Sequence, residues 1–269
     1  NPGHAFEDCS GLASIMLPDS VTKIGGDAFR CCGGLASIML PDSVTEIGWG
    51  AFYGCSGLTN IMIPESVTKI GGDAFRCCSG LMNITIPERV MEIGGYAFSE
   101  CKALTYITIP KSVMKIGQGA FSCCDNLESI KVDKNNKIYD SRENCNAIIE
   151  KSSSALIAGC KNTEVPSGVT QMGERAFYGC SGLIEITIPD SVTSIGIDAF
   201  NGTYWLMTKQ AEDPLVIVNH ILIDGTTYTG TAIVIPNDVT SIVGGAFVNC
   251  RSLNKITIPD GVTCIGDST

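Results

Sequence analysis

The sequence predicts a mostly β solenoid, a right-handed stack of short coils with helical turns, because three features recur together at one interval. An Ala-Phe dipeptide returns with a constant period, alternating apolar residues precede it, and a proline and a glycine punctuate each unit. The first dipeptides end at Phe6, Phe29, Phe52, Phe75, Phe98 and Phe121, which sets the period at twenty-three. A fixed period of this length indicates units that bury their apolar faces only by stacking on one another.

Each unit begins with a predicted strand. In Leu58-Thr59-Asn60-Ile61-Met62-Ile63 the residues alternate between two faces, so the isoleucines point inward and the residues between them point outward. Pro64 follows at once and ends the strand, because proline has no N–H to donate to a neighbouring coil. An L-x-x-I-x-I stretch at a period of about 20–29 residues is typical of leucine-rich repeats.

A second apolar pair and a glycine follow the strand in most units. The glycines are Gly25, Gly48, Gly71, Gly94, Gly117, Gly173, Gly196 and Gly266. We expect glycine here because the chain must bend back, and glycine takes positive φ without strain. The phenylalanine of the next dipeptide is then expected to point inward and to stack as a ladder, with each ring worth about 1.5–3 kcal/mol of burial.

Two intervals break the period and predict irregular coils. The interval from Phe121 to Phe177 exceeds two periods, and so does the interval from Phe200 to Phe247. Each interval is one regular period plus a longer remainder, so each hides one degenerate unit. We therefore expect about eleven coils in a single leucine-rich repeat domain, residues 1–269, that is a fragment of a longer chain.

Both irregular units are predicted to carry a β-hairpin. In the first, residues 133–163, apolar runs flank a serine-rich turn at 152–154. In the second, residues 201–235, apolar runs flank Asn219 and His220, and this pair suits a tight turn because asparagine tolerates positive φ.

The unit resembles the BspA-like, or treponemal-type, leucine-rich repeat family, whose characteristic string is I-P-D-S-V-T-x-I-G-x-x-A-F-x-x-C. Residues 188–200 carry this string through its Ala-Phe dipeptide, and the likeness covers nearly the whole chain. Val243, Thr203 and Asp133 depart from it, in place of the glycine, the cysteine and the proline. The resemblance implies a surface-exposed or secreted protein of host-associated bacteria or protists that binds host matrix proteins such as fibronectin or fibrinogen. It implies no catalytic residues.

Composition excludes several classes of function. The net charge of −10 argues against binding to a phosphate backbone, so no nucleic acid is expected as a partner. His4 and His220 are the two histidines, which leaves little material for acid–base catalysis or zinc binding. No apolar stretch is long enough to span a membrane, and Asn1 does not open a signal peptide, so we expect any export signal to lie outside this chain.

The fourteen cysteines predict free thiols rather than disulfides or a metal site. Eight share one register, three residues after the phenylalanine: Cys9, Cys32, Cys55, Cys78, Cys101, Cys124, Cys180 and Cys250. Stacked side chains of this kind have parallel Cα–Cβ vectors, which do not give the disulfide dihedral. Cys31, Cys77 and Cys123 precede three of them, but adjacent side chains diverge and no further ligand converges. We interpret the column as small buried apolar residues.

The middle residue of each predicted strand points away from the core and forms a column. This column runs through Met16, Met39, Met62, Thr85 and Thr108. Three methionines on successive coils predict a deformable apolar patch that suits a protein ligand, and Tyr106 extends this candidate surface. The alternative is packing between like side chains along a sheet, without any ligand.

Aromatic residues outside the repeat register cluster in the second irregular unit, at Tyr204, Trp205 and Tyr228, and Trp49 lies at a solvent-side position of a regular unit. They are interpreted either as sugar platforms or as a buried plug over a broken coil.

Taken together, these patterns predict a non-enzymatic scaffold without cofactor or metal, secreted or on a cell surface, that binds a protein ligand. The alternatives are a structural stalk and a glycan-binding module formed by the irregular units.

Overall fold

The computed structural model describes residues 4–266, so both ends of the predicted domain lie outside the described part. These residues form a β-solenoid of about eleven turns, with twenty short strands, one α-helix and a 3-10 turn at Arg142–Asn144. The strands are β1 Lys23–Ile24, β2 Ser37–Met39, β3 Glu46–Ile47, β4 Asn60–Met62, β5 Lys69–Ile70, β6 Glu92–Ile93, β7 Tyr106–Ile109, β8 Lys115–Ile116, β9 Ser129–Val132, β10 Tyr139–Asp140, β11 Ala147–Glu150, β12 Ala155–Gly159, β13 Gln171–Met172, β14 Ser194–Ile195, β15 Val216–Val218, β16 Ile221–Asp224, β17 Ala232–Val234, β18 Ser241–Ile242, β19 Lys255–Thr257 and β20 Cys264–Ile265. The helix is α1, Tyr204–Glu212.

Each regular coil contributes to two rows of parallel strands. The first row comes from the L-x-x-I-x-I stretch and pairs β2 with β4, β7 with β9, and β17 with β19; we call it the strand face. The second row pairs β1, β3, β5, β6 and β8 in that order. Partners in the second row lie one period apart, as Ile47 and Ile70 do, so every coil rests on the one before it in the same register.

The corner after the second strand turns on two residues with left-handed backbone. One directly precedes the Ala-Phe dipeptide, and the other lies two residues after the phenylalanine, as Asp73 and Cys77 do around Phe75. The first position is held by His4, Asp27, Gly50, Asp73, Tyr96, Gly119, Arg175, Asp198 and Gly245, and the second by Asp8, Cys31, Gly54, Cys77, Glu100, Cys123, Gly179, Gly202 and Asn249. Because both bends recur, the phenylalanine enters the core at the same angle in successive coils.

The predicted phenylalanine ladder is confirmed. Ring centroids from Phe6 to Phe121 are 5.3–5.6 Å apart, and the rings lie within 8° of parallel. Phe177 and Phe200 form a second ladder with a spacing of 5.3 Å, and the first irregular unit separates the two ladders. Together with the inward leucines and isoleucines, these rings form the hydrophobic core.

The expectation of positive φ at the glycines after the second strand is wrong, because none of them lies in the left-handed region. Glycine is needed here for close approach instead. A Cβ built on Gly71 would lie 2.6 Å from the carbonyl carbon of Gly48 and 2.7 Å from the backbone nitrogen of Trp49. Successive coils therefore touch backbone to backbone at this position, and no side chain fits between them.

The first irregular unit forms the predicted hairpin, and β10 adds a third strand. β10 and β11 are antiparallel, as are β11 and β12, while β12 pairs in parallel with β13 and so returns the chain to the solenoid. The side-chain amide of Asn136 donates hydrogen bonds to the carbonyl oxygens of Pro110 at 2.8 Å and Val113 at 2.9 Å. These bonds tie the irregular unit to the coil before it.

The second irregular unit also forms the predicted hairpin, from antiparallel β15 and β16. Asn219 and His220 at its tip both have positive φ, as a type I′ turn requires. The side-chain amide of Asn219 donates to the carbonyls of Pro189 at 2.7 Å and Val192 at 3.1 Å, so both irregular units are anchored by the same device.

Helix α1 precedes this hairpin and was not predicted from the sequence. Thr203, at the register of the column cysteines, caps the helix: its hydroxyl accepts from the Leu206 amide at 3.1 Å and donates to the Phe200 carbonyl at 2.7 Å. Trp205 is buried, with its ring centroid 4.7 Å from that of Phe200. The threonine that replaces the column cysteine at position 203 is therefore the N-cap of α1.

We expect Gly71→Ala to destabilise the protein because the new methyl group would overlap the backbone of the preceding coil. The free energy of unfolding, measured in urea, should fall by about 1–3 kcal/mol or more. The matched control is Gly11→Ala, since no atom lies within 4 Å of a Cβ built there. Equal stability of the two variants would contradict backbone contact between coils.

Candidate binding surface

The three predicted methionines lie side by side on the strand face. Met16 forms a parallel bridge with Met39, and Met39 pairs with Met62 across β2 and β4. Ile38 and Ile61 alternate with them and are buried. Because strand residues alternate between faces, the inward isoleucines fix the methionines outward.

These methionine side chains are almost fully open to solvent. The exposed fractions are 95% for Met16, 82% for Met39 and 81% for Met62. Packing between like side chains along the sheet would cover much of each side chain, but neighbours cover less than one fifth of Met39 and Met62. The patch is therefore exposed apolar surface, which is one of the two arrangements that the sequence left open.

The remaining predicted residues continue this surface along the same face. Thr85 and Thr108 are exposed, and Thr108 pairs with Lys131 across β7 and β9. Tyr106 is exposed in the adjacent column, where Asn60 also faces outward and forms a bridge with its neighbour in the next coil. All six predicted residues thus share one face, which changes from apolar to polar along the chain.

A row of carboxylates that was not predicted from the sequence flanks the methionines. It consists of Asp19, Asp42, Glu65 and Glu88, each directly after the proline that ends a strand stretch, and all are exposed. Asp42 and Glu65 line an open depression of about 600 Å³ together with Met62 and Thr85. At the far end of the row, Glu88 meets Lys111 at 4.0 Å. The signal in the sequence is their spacing of one period, which places them in one column.

The second row of strands carries a ladder of alternating charge. Lys23 pairs with Glu46 at 2.8 Å, and Glu92 pairs with Lys69 at 3.3 Å and Lys115 at 3.1 Å. A hydrogen bond from Lys115, supported by Lys69, lowers the pKa of Glu92. These lysines and glutamates neutralise one another, so this face offers a ligand little free charge.

The corner beside this row is covered by stacked arginine and tyrosine side chains. The Arg30 guanidinium lies 4.2 Å from the ring centroid of Tyr53, and Arg76 lies 5.4 Å from that of Tyr96. Arg175 continues the stack beside Tyr96 and donates a hydrogen bond to its hydroxyl. The guanidinium groups of these arginines therefore contact tyrosine side chains of the solenoid itself.

The cysteine column packs into the core, and its thiols are hydrogen-bonded. Cys55 Sγ donates to the Phe29 carbonyl at 3.0 Å, and Cys78 Sγ donates to the Phe52 carbonyl at 3.1 Å, one coil back in each case. Burial raises the pKa of Cys55 to about 12 and the pKa of Cys78 well above its ordinary value. The protonated thiol is the form that donates this bond.

All fourteen cysteines are free in the described range. Cys31 and Cys77, each the first of a vicinal pair, occupy the left-handed corner position, and a Cβ built on Gly54 would lie 3.3 Å from Cys31 Sγ. Glycine on the next coil thus leaves room for Cys31, whereas the coil after Cys77 carries Glu100 at the same position. Between residues 4 and 266, no three histidine, cysteine or acidic side chains converge as metal ligands.

The aromatic residues of the second irregular unit do not share one environment. Trp205 is buried against Phe200, as the plug interpretation predicts, whereas Tyr204 is exposed on α1 and contradicts it. Tyr228 is partly buried, and its hydroxyl donates to the Ala232 carbonyl at 2.6 Å. Trp49 is exposed, as predicted. The structure therefore does not assemble an aromatic platform from Tyr204, Trp205 and Tyr228.

The chain belongs to the BspA-type leucine-rich repeat family. Six copies of the BspA type leucine rich repeat region match residues 2–88, 46–155, 147–215 and 226–269. No curated protein sequence matches the chain. Within the described residues, no helix is both long and apolar enough to cross a membrane.

Solved structures of bacterial leucine-rich repeat proteins share this fold. A leucine-rich repeat protein from Eubacterium ventriosum is 26% identical with a TM-score of 0.66, and the match covers 94% of this chain and 61% of that protein. A leucine rich cell surface protein from Faecalibacterium prausnitzii is 31% identical with a TM-score of 0.59, over 93% of this chain and 74% of that one. A leucine-rich repeat protein from T. pallidum is 28% identical with a TM-score of 0.50, over 74% and 82%. The chain thus spans about three fifths of the E. ventriosum protein.

We expect the column thiols to make stability fall at alkaline pH. Below about pH 9 both the folded and the unfolded chain keep the proton of Cys55, whereas between pH 9 and about 12 only the folded chain does. The free energy of unfolding should therefore fall as pH rises above 9, by up to about 1.4 kcal/mol per pH unit for each such thiol.

Urea unfolding of the wild type and of Cys55→Ala between pH 7 and 10.5 checks this effect, and Cys264→Ala controls for loss of an exposed thiol. The Cys55→Ala variant should lose less stability over this range than the wild type. Identical pH dependence in the two would overturn the role given to the buried thiol.

Proposed function

We propose that this protein is a non-enzymatic scaffold on a microbial cell surface that binds a protein ligand through its strand face. Its family and the cell-surface relative from F. prausnitzii support the location. The single observation that carries the binding role is the contiguous, exposed methionine column of the strand face. The chain corresponds to part of the length of the E. ventriosum relative.

The methionine column suits a protein partner better than a small ligand. It lies on an open row of strands, and the depression beside Met62 is shallow rather than enclosed. Methionine side chains are flexible and polarizable, so they adapt to partners of varied shape. Exposed contiguous apolar surface with a polar margin is characteristic of protein interaction sites.

The charge beside the column indicates the chemistry of that partner. Four carboxylates in successive coils flank the methionines, and the whole chain carries a net charge of −10. A surface of basic residues around an apolar centre complements this arrangement, because opposite potentials raise the rate and the specificity of association. The ligands to test first are host matrix proteins such as fibronectin and fibrinogen, because the family resemblance implies them.

The dispersion of titratable groups supports a role without catalysis. His4 and His220 are both exposed, and they lie far apart, in the first described coil and in the second irregular unit. The buried thiols have raised pKa values, which disfavours the nucleophilic thiolate. A structural stalk is the alternative, and it is distinguished by having no saturable ligand.

Binding to immobilised fibronectin and fibrinogen, measured by surface plasmon resonance, tests the proposal. We expect saturable binding that Met39→Lys weakens about tenfold or more, because a charge replaces the apolar centre of the surface. Binding should also weaken as salt rises from about 0.1 to 0.5 M, because salt screens the flanking carboxylates.

The matched control is Met114→Lys, since Met114 is similarly exposed but lies next to β8 in the second row of strands. Its affinity should stay at the wild-type value. Equal losses in both variants would contradict the strand face as the site, and no saturable binding to either protein would favour the stalk.

A further inference from the structure

The first irregular unit lacks a corner that every regular coil has. In a regular coil the second strand is followed by the glycine, the Ala-Phe dipeptide and the column cysteine. In the irregular unit Leu156, at the second-strand register opposite Met172, is followed within four residues by Gly159 and Cys160. The corner containing Phe121 and the corner containing Phe177 therefore face each other across a cleft of about 240 Å³.

The second irregular unit omits the same corner but fills the space. Leu222 pairs with Ile242 at the second-strand register, and Gly225 follows three residues later, as Gly159 follows Leu156. Leu206 of α1 lines the equivalent space, of which only about 40 Å³ remains. The first unit has no helix of this kind, so its cleft stays open.

One wall of the cleft offers hydrogen-bond donors that have no partner. In a regular corner the amides at the positions of Gly50 and Phe52 donate to the next coil, at 2.9 and 2.8 Å. The equivalent amides belong to Gly119 and Phe121, and within residues 4–266 neither has a hydrogen-bond acceptor, because Gly159 donates to the carbonyl of Ala176 in place of Phe121.

A buried hydroxyl adds to this wall. Ser122 lines the cleft, its residue is 5% exposed, and its Oγ has no hydrogen-bond partner in the described part of the chain. An unsatisfied buried hydroxyl costs about 1–3 kcal/mol, so a ligand or ordered water that bonds to it is favoured.

The other walls offer acceptors and an apolar floor. The carboxylates of Glu150 and Glu174 border the cleft, and Ile157 and Ala158 line its base. Glu150 Oε2 accepts from the Ser153 hydroxyl and Glu174 Oε1 accepts from the Gln118 side-chain amide, so within residues 4–266 the second oxygen of each carboxylate is left to accept from a ligand. Arg175 also borders it, but its guanidinium is engaged by Glu174 at 3.7 Å and Asp198 at 3.3 Å.

This combination selects the class of ligand. Two carboxylates repel a simple anion, and unpartnered N–H donors do not suit a simple cation. A neutral molecule with several hydroxyl groups both accepts from the amides and Ser122 and donates to Glu150 and Glu174, while its C–H face packs on the apolar floor. The volume is below the roughly 300–1,000 Å³ of sites for drug-sized ligands and holds about eight waters, which fits one sugar ring.

We propose that the cleft of the first irregular unit binds one sugar unit, either a free monosaccharide or the terminal sugar of a glycan. This site is separate from the strand face and independent of the protein ligand proposed there. It assigns to the irregular unit a role that the regular coils, whose corners are complete, do not share.

Saturation-transfer NMR with glucose, galactose, mannose and N-acetylglucosamine, and with their methyl glycosides, tests the site in the complete chain. We expect at least one sugar to bind with a millimolar Kd. Retained binding of its methyl glycoside indicates a terminal glycan sugar, and loss of binding indicates a free monosaccharide.

Ser122→Ala should weaken this binding about tenfold while leaving the unliganded protein as stable as the wild type or more so, because it removes an unsatisfied buried hydroxyl. Glu150→Gln should weaken it similarly through loss of a charged acceptor. The matched control is Ser99→Ala, at the same register one coil earlier, which should bind as the wild type does.

Absence of saturation transfer from every sugar would overturn the proposal, and so would binding that Ser122→Ala and Ser99→Ala weaken equally. Competition by glycine or alanine would reassign the cleft to a zwitterionic ligand. Met39→Lys should leave sugar binding unchanged, so failure of this site and failure of the strand face are observed separately.

Discussion

Backbone contact between successive coils is the constraint on which this structure depends. At Gly71 the chain passes so close to Gly48 that a single methyl group would overlap the preceding coil. That closeness brings the phenylalanine rings within 5.3–5.6 Å of each other and lets Cys78 Sγ reach the Phe52 carbonyl. Because the same contact recurs at one register, the core is a stack of identical layers, each of which is buried only by its neighbours.

The same register turns every sequence position into a column on the outside of the molecule. Residues one period apart become neighbours, so Met39 and Met62 merge into one apolar patch and Asp42 and Glu65 into one acidic row. In the second row of strands, alternation of lysine and glutamate cancels charge locally. The strand face, in contrast, keeps its apolar column open and has no lysine between its four carboxylates, which is the physical basis for assigning ligand binding to it.

The regular coils follow from the sequence because local patterning, proline and the hydrophobic period all agree there. The hairpin tip at Asn219, the exposed Met39 and the buried Cys55 were all predictable from these patterns. The reason for glycine at position 71 was not predictable, because a sequence rule that assigns glycine to positive φ says nothing about backbone contact between coils. The burial of Trp205 matches the plug interpretation, but helix α1 itself escaped prediction, since it depends on the space left by the corner that the second irregular unit lacks. The open cleft beside Ser122 has the same tertiary origin.

Deletion of one coil tests the central claim most directly, because the register predicts which deletion the solenoid tolerates. Removing residues 48–70 deletes one whole period and joins Ile47 to Gly71, so the remaining coils should stack and unfold cooperatively in urea. Removing residues 48–69 joins Ile47 to Ile70 and places one extra residue in a corner, which should cost at least about 3 kcal/mol more. Equal stability of the two deletion variants would contradict a solenoid held in register by contact between its coils.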